Sequence, residues 1–178
     1  MRIIGGNLKG RRFYPPVKKW PTRPTTDIAK EGLFNILNNQ MDFELIKALD
    51  LFGGTGAHSF ELISRGCENV HYVDKHRPCH TYVKKMAIEF DITDHLTLHV
   101  GDVKKFLKNC EDRFDYIFAG PPYPLSWIDD IPALVFDQNT LNKGGVFVLE
   151  TDPNHSFKDH PRLQDLRNYG QTHFWFFK

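Results

Sequence analysis

Two short stretches of this chain hold residue types whose spacing could do chemistry. The first, Asp50-Leu51-Phe52-Gly53-Gly54-Thr55-Gly56-Ala57, is an apolar run that ends in an acid and a cluster of glycines. Glycines let the backbone turn tightly and approach a ligand, and a helix starting there points its positive end at it. Asp74 stands 24 residues beyond Asp50, where a carboxylate can accept both hydroxyls of a ribose. Gly101-Asp102 closes a third apolar run and is placed to meet an adenine amine. With their neighbours these residues form a candidate nucleoside site: Asp50, Phe52, Gly53, Gly54, Gly56, Asp74, Lys75, Asp102 and Val103.

The second stretch is FDYIFAGPPYPL, Phe114 to Leu125, which halts an apolar run on Gly120-Pro121-Pro122-Tyr123. Prolines lack N–H groups and have a fixed φ, so the turn offers rigid carbonyl acceptors with few competing donors. Such acceptors can grip the N–H bonds of an exocyclic amine and aim its nitrogen at an electrophile. Tyr123 can stack on a base drawn out of its own stack. Gly120, Pro121, Pro122 and Tyr123 are therefore the candidate reacting turn.

Two nucleoside cofactors suit the first stretch, a dinucleotide or S-adenosyl-L-methionine. Dinucleotide turns read G-x-G-x-x-G, whereas here Gly54-x-Gly56 is followed by Ser59. Asp50 also puts a carboxylate at the turn, suited to the amino group of a methionine moiety and unwelcome beside a pyrophosphate. S-adenosyl-L-methionine is the better match. Transfer from a sulfonium needs no metal, because the leaving group departs neutral. His76, Cys79 and His80 have a spacing that one helix face could use for zinc, but no fourth ligand is apparent nearby.

Positioning these turns requires alternating strands and helices. KALDLF, NVHYVD, HLTLHVGD, FDYIFAG, GGVFVLETD and THFWFFK read as strands, and HSFELISRG, RPCHTYVKKMAIEF and VKKFLKN as helices between them. SWIDDIPALVFDQN is helical or irregular. The pattern predicts an α/β Rossmann-like fold, a mostly parallel sheet with helices on both faces and ligands at the strands' C-terminal ends. Upstream, RIIGGNLKGRRFY reads as a small β-hairpin extension followed by a proline-rich linker. Thr25-Thr26-Asp27 then caps a helix whose apolar stripe is Ile28, Leu33, Phe34 and Leu37. Residues 1–24 are thus expected to be an appendage and 25–178 the catalytic domain.

The chain's net charge is only +1, yet residues 1–30 carry eight basic residues against Asp27 alone. A polyanion-binding face is expected there, through Arg2, Lys9, Arg11, Arg12 and Arg23, because neutralised phosphates release counterions. Phe13, Tyr14 and Trp20 are interleaved with these residues and, if exposed, can stack on bases. Arg23 can also fork onto an RNA phosphate or the cofactor carboxylate. No apolar run is long enough to span a membrane, and the opening residues MRIIGGNLKGRR, which lack an apolar segment, do not resemble a signal peptide. Cys67, Cys79 and Cys110 are odd in number and scattered, which suits reduced thiols in a cytoplasm.

RIIGGNLKGRR, TRPTTDIAKEGLFNIL, DLFGGTGA, SRG, VDKHR and FAGPPY, in that order, resemble the bacterial RsmD family of small-subunit rRNA guanine-N2 methyltransferases. The resemblance spans roughly residues 2–125 and implies a class I methyltransferase fold with a seven-stranded sheet. It also implies S-adenosyl-L-methionine as cofactor, and as substrate small-subunit rRNA or a partly assembled 30S subunit; separately, the protein is expected to be a monomer. Two departures stand out. Families of this type carry Asp or Asn before Pro-Pro-Tyr, and Gly120 leaves only backbone carbonyls or a water to accept the amine's N–H. His58-Ser59-Phe60 replaces a small, glycine-containing helix start, which bears on how that helix packs. The leading expectation is an active rRNA guanine-N2 methyltransferase. The alternatives are a cofactor- and RNA-binding protein weakened by Gly120, and an NAD-dependent dehydrogenase.

Overall fold

The computed structural model of the chain describes residues 1–20 and 25–178. Twelve elements follow the N-terminal hairpin and its linker. They are α1 (Asp27–Asn38), β1 (Lys47–Leu51), α2 (Ala57–Ser64), β2 (Asn69–Asp74), α3 (Arg77–Glu89), β3 (Leu96–Val100), α4 (Val103–Asn109), β4 (Phe114–Ala119), α5 (Ile131–Asp137), β5 (Leu141–Thr151), β6 (Leu163–Tyr169) and β7 (Thr172–Phe177). They build one seven-stranded sheet in the order β3-β2-β1-β4-β5-β7-β6. Strands β1 to β5 pair in parallel, and β7 pairs antiparallel with both β5 and β6. The chain runs outward from β1 through β2 and β3, then returns to place β4 on β1's other side. The C-terminal ends of β1 and β4 therefore flank the switch point where such sheets bind ligands.

Strand periodicity assigns each side chain a face. On β1, Ala48 joins the core cluster that holds Leu33, Phe34, Phe60 and Val83, while Leu49 and Leu51 join the one under Val103 and Ile131. Asp50 shares a face with Ala48 and so lies beneath α2. Two core clusters, one per face, account for helices on both sides.

The sixth strand escaped the sequence pattern, although a seven-stranded sheet was implied by the resemblance. LQDLRNY shifts register between Leu163 and Asp165 and borders only β7. A bulge on an edge strand breaks the alternation that reveals a strand. In α1, Thr26 is the N-cap and accepts a bond from the Ala29 amide at 3.3 Å. Leu33, Phe34 and Leu37 are buried as expected, whereas Ile28 is exposed. It sits in the first turn, outside the 3.6-residue stripe that meets the sheet.

The N-terminal hairpin closes through an antiparallel Arg2–Arg12 bridge and the bonds Ile3 N–H to Arg11 O and Gly10 N–H to Ile3 O, both 2.9 Å. It is fastened to α2 by two buried residues, Ser64 and Glu61. The Ser64 carbonyl accepts the Asn7 amide at 2.6 Å, and its hydroxyl accepts the Leu8 amide at 2.9 Å and donates to the Gly5 carbonyl. Glu61 accepts the Ile4 and Gly5 amides at 2.8 Å each and Arg65 at 2.9 Å, with Lys30 Nζ 3.8 Å away. Lys30 in turn donates to the Arg2 carbonyl at 2.8 Å, and burial pushes its ammonium pKa down despite Glu61's charge. Phe13 is 1% exposed and packs edge-on against Phe60 at 5.4 Å. This corrects its expected role as an exposed stacking aromatic: it anchors the hairpin in the core. Tyr14 is exposed, and Trp20 packs on His76 and Tyr82.

Candidate functional site

At the switch point lies a cavity of about 340 Å³, a size suited to a small ligand. Its lining includes Asp50, Phe52, Gly53, Gly54, Asp74, Lys75, Asp102 and Val103 from the nucleoside set, together with Gly120, Pro121 and Pro122. Strand order explains the meeting, because each of these residues ends one of four neighbouring parallel strands or begins the loop or helix after it.

Asp50 is fully buried, and its Oδ2 accepts both the Ser59 amide at 3.2 Å and the Ser59 hydroxyl at 2.6 Å. Its Oδ1 has no hydrogen-bond partner among the described residues. A buried acceptor left open at a cavity wall suits a ligand donor, above all a cationic one. Burial raises the carboxyl's pKa to about 7, aided by the charge of Asp74 and opposed by the two Ser59 bonds. Ser59 therefore has a use that the departure at His58-Ser59-Phe60 had left open, and α2 is buried along its length.

Asp74 holds the opposite rim. Its Oδ2 accepts the Gly54 amide at 2.9 Å and its Oδ1 the His76 amide at 2.7 Å. A carboxylate has about four acceptor positions, so two remain for a diol. Asp102 caps α4 by accepting from the Lys105 amide at 3.1 Å, which fixes its carboxylate at the cavity edge. Gly56 does not line the cavity. It begins α2 with a left-handed φ of 78°, and a side chain there would press on Phe60 and Val83 at 2.9 Å.

Gly53 is required for close approach. A Cβ there would overlap the ring of Tyr72, which is buried and held by its hydroxyl's 2.8 Å bond to the Gly54 carbonyl. Gly53→Ala is expected to cost about 1–3 kcal/mol and to weaken nucleoside binding by distorting the loop. Denaturant melts and cofactor titration check this; a variant with unchanged stability and affinity would contradict it.

The reacting turn leaves β4 with the Gly120 amide donating to the Leu51 carbonyl at 3.2 Å, which ties it to the end of β1. Tyr123 does not line the cavity; its hydroxyl donates to Glu150 Oε1 at 3.3 Å. The cavity also collects residues that the motifs did not reveal: Thr25, His58, Phe118, Leu125, Trp127 and Glu150. The His58 ring stacks on Phe118 at 3.8 Å and shares a 3.1 Å hydrogen bond with the Tyr116 hydroxyl. Burial, with a contribution from Lys30, pushes its pKa well down, so the ring is neutral. Glu150 carried a readable signal, an acid interrupting the apolar run VFVLETD near a strand's end.

Of the basic arm, Arg2, Lys9, Arg11 and Arg12 are exposed. Arg2 also pairs with Asp27 at 2.9 Å, and Arg11 lies over the Phe90 ring at 5.9 Å. Arg23 falls outside the described residues. His76 Nδ1 lies 3.1 Å from Cys79 Sγ, and among the described residues no three His, Cys, Asp or Glu side chains are arranged to hold a metal ion. Among those residues no helix is long and apolar enough to cross a membrane.

Known proteins resemble this chain in sequence or in fold. A protein of Bacillus subtilis (strain 168) named "Putative rRNA methyltransferase YlbH" is 33% identical over 155 residues, covering 85% of this chain and 83% of that protein. "Ribosomal RNA small subunit methyltransferase D" of Haemophilus influenzae is 27% identical over 166 residues, covering 92% of this chain and 82% of its own. Among solved structures, the Thermus thermophilus 16S rRNA N2 G1207 methyltransferase (RsmC), in complex with AdoMet and guanosine, superimposes with a TM-score of 0.69 at 23% identity, over 88% of this chain and 44% of that one. The family model described as Conserved hypothetical protein 95 matches residues 1–178. This chain belongs to that family, the RsmD family, over its whole length.

Proposed function

We propose that this chain transfers a methyl group from S-adenosyl-L-methionine to the exocyclic N2 amine of a guanine in small-subunit ribosomal RNA. The observation that carries the reading is a juxtaposition. The open Oδ1 of buried Asp50 and the diproline turn face one cavity at the switch point, which puts a cation-binding acid beside a rigid set of amine acceptors. Membership of an rRNA methyltransferase family supplies the substrate class.

The residues fit the cofactor. Asp50 Oδ1 would take its ammonium group, Asp74 its ribose hydroxyls, and Asp102 its adenine amine, while Gly53 lets the loop lie close. When bound, the cofactor supplies a methyl carbon on a positively charged sulfur that leaves neutral. This chain's work is then positioning. Pro121 and Pro122 offer no N–H donors of their own. Because the Pro122 carbonyl takes the Leu125 amide at 2.9 Å, the Gly120 and Pro121 carbonyls are the ones that would accept from the amine and orient its lone pair. The aromatic walls, Phe52, Phe118 and Trp127, exclude water and give an extruded base surfaces to stack on. Lys9, Arg11 and Arg12 would meet phosphates and set a salt-dependent affinity.

The test is methyl transfer from labelled cofactor to small subunits lacking the modification, and to the corresponding naked RNA. Labelled product should carry N2-methylguanine; transfer to another base or to protein would refute the reading. Gly120→Asp belongs in the same assay. A Cβ there meets only the edge of Phe118, at 3.1 Å, so the variant should fold. We expect its rate to lie within about tenfold of the parent's. Activity confined to the variant would favour the alternative, a binding protein weakened by Gly120.

A further inference from the structure

Resting on that function, we propose that Glu150 is the carboxylate of the acceptor site, which reads the guanine's amine edge in place of the side chain Gly120 lacks. The register carries the argument. Ala119 on β4 pairs with Leu149 on β5. One residue further, Glu150 therefore lies beside Gly120, on strands about 4.8 Å apart, and residues level with one another on parallel strands project to the same face. The acid absent from the turn has a neighbour of the same chemistry one strand over.

The environment of Glu150 suits that task. It is 4% exposed, yet it borders the cavity together with Gly120, Pro121 and Pro122. Its Oε2 accepts the Thr25 hydroxyl at 2.6 Å and its Oε1 the Tyr123 hydroxyl at 3.3 Å. These bonds fix the carboxylate's plane and tie it both to the reacting turn and to the segment leading into α1. The Watson–Crick edge of guanine presents N1–H and N2–H side by side, two parallel donors that a carboxylate can accept together. A base without the 2-amino group offers only one of them. With glycine at 120, no side chain of that residue screens this carboxylate from a base lodged over Pro121. The same acceptance turns the N2 lone pair away from the carboxylate, toward the methyl donor.

The experiment compares the parent with Glu150→Gln, which keeps the side chain's shape and an acceptor for Thr25 or Tyr123. In the presence of S-adenosylhomocysteine, guanosine and inosine binding are measured by ligand-observed NMR. The parent should prefer guanosine by about tenfold, and Glu150→Gln should erase the preference. On small subunits, its kcat should fall about a hundredfold with KM for the cofactor unchanged. Adding Gly120→Asp to Glu150→Gln should recover at least tenfold of the loss. The proposal is overturned if Glu150→Gln retains the guanosine preference and kcat. It is equally overturned if the variant loses cofactor affinity in proportion, or if the double variant recovers nothing, since Glu150 would then be structural. A parent that methylates RNA alongside an equally active Glu150→Gln leaves the function standing and removes only this inference. A parent that transfers no methyl to any guanine removes the function itself.

Discussion

Asp50→Asn is expected to weaken S-adenosyl-L-methionine binding by on the order of a hundredfold, the loss of a charge-assisted bond in a buried site. The amide cannot neutralise an ammonium, and its NH2 group would face that cation from the position Oδ1 now holds. A pH dependence follows from the raised pKa of about 7. A cationic donor needs the ionised acid, so parent affinity should climb as pH rises toward about 7 and level off above it. Stability runs the other way. The folded protein holds this proton more tightly than the unfolded chain, whose aspartate titrates near 4. The stabilisation from the protonated carboxyl is complete below about pH 4 and is lost as pH rises to about 7, by up to about 1.4 kcal/mol per pH unit. Cofactor titrations and thermal melts from pH 4 to 8 measure both slopes, and the asparagine variant should show neither. Equal affinity in the two proteins would refute the assignment of Oδ1 to the ligand.

Glu61→Ala should be the most destabilising single change, at about 3–5 kcal/mol, or roughly 10 °C in Tm for a chain of this size. It leaves two backbone amides and Arg65 without their shared acceptor and strands Lys30, which is 3% exposed. The loss should be local at first. The Ile3 and Phe13 amides, which close the hairpin against Arg11 and Met1, should lose hydrogen-exchange protection before the central strands do. RNA affinity should fall with them, because Lys9, Arg11 and Arg12 ride on that hairpin. Glu61→Gln keeps an acceptor without the charge and should lose less. A Glu61→Ala protein whose hairpin amides exchange no faster than the parent's would show that Ser64, Phe13 and Ile3 hold the hairpin without Glu61.

These two residues mark how much of the protein could be read from the chain. Turn chemistry is local, so the glycine cluster after Asp50, the diproline at Pro121-Pro122 and the Thr26 cap announced themselves by residue type and spacing. Strand and helix periods then implied a parallel sheet, and with it the meeting of strand ends. The hairpin's bond pattern was also foreseeable from its glycines. Its attachment was not: Phe13 looked like a surface aromatic because nothing nearby in sequence shows that Phe60 and Phe90 await it.

Tertiary structure decided which acids do what. Glu61 reads as an ordinary helical glutamate until α2 is laid against the hairpin, when it becomes buried and surrounded by donors. Glu150 and Gly120 lie thirty residues apart and become neighbours only through the parallel register of β4 and β5. Asp50 was visible as a candidate, but its open oxygen and raised pKa depend on Ser59 approaching from α2 and on the depth of burial. Patterns of residue type encode backbone geometry within a few residues. Burial, which sets the strength of every charge, depends on which distant segments arrive to exclude water.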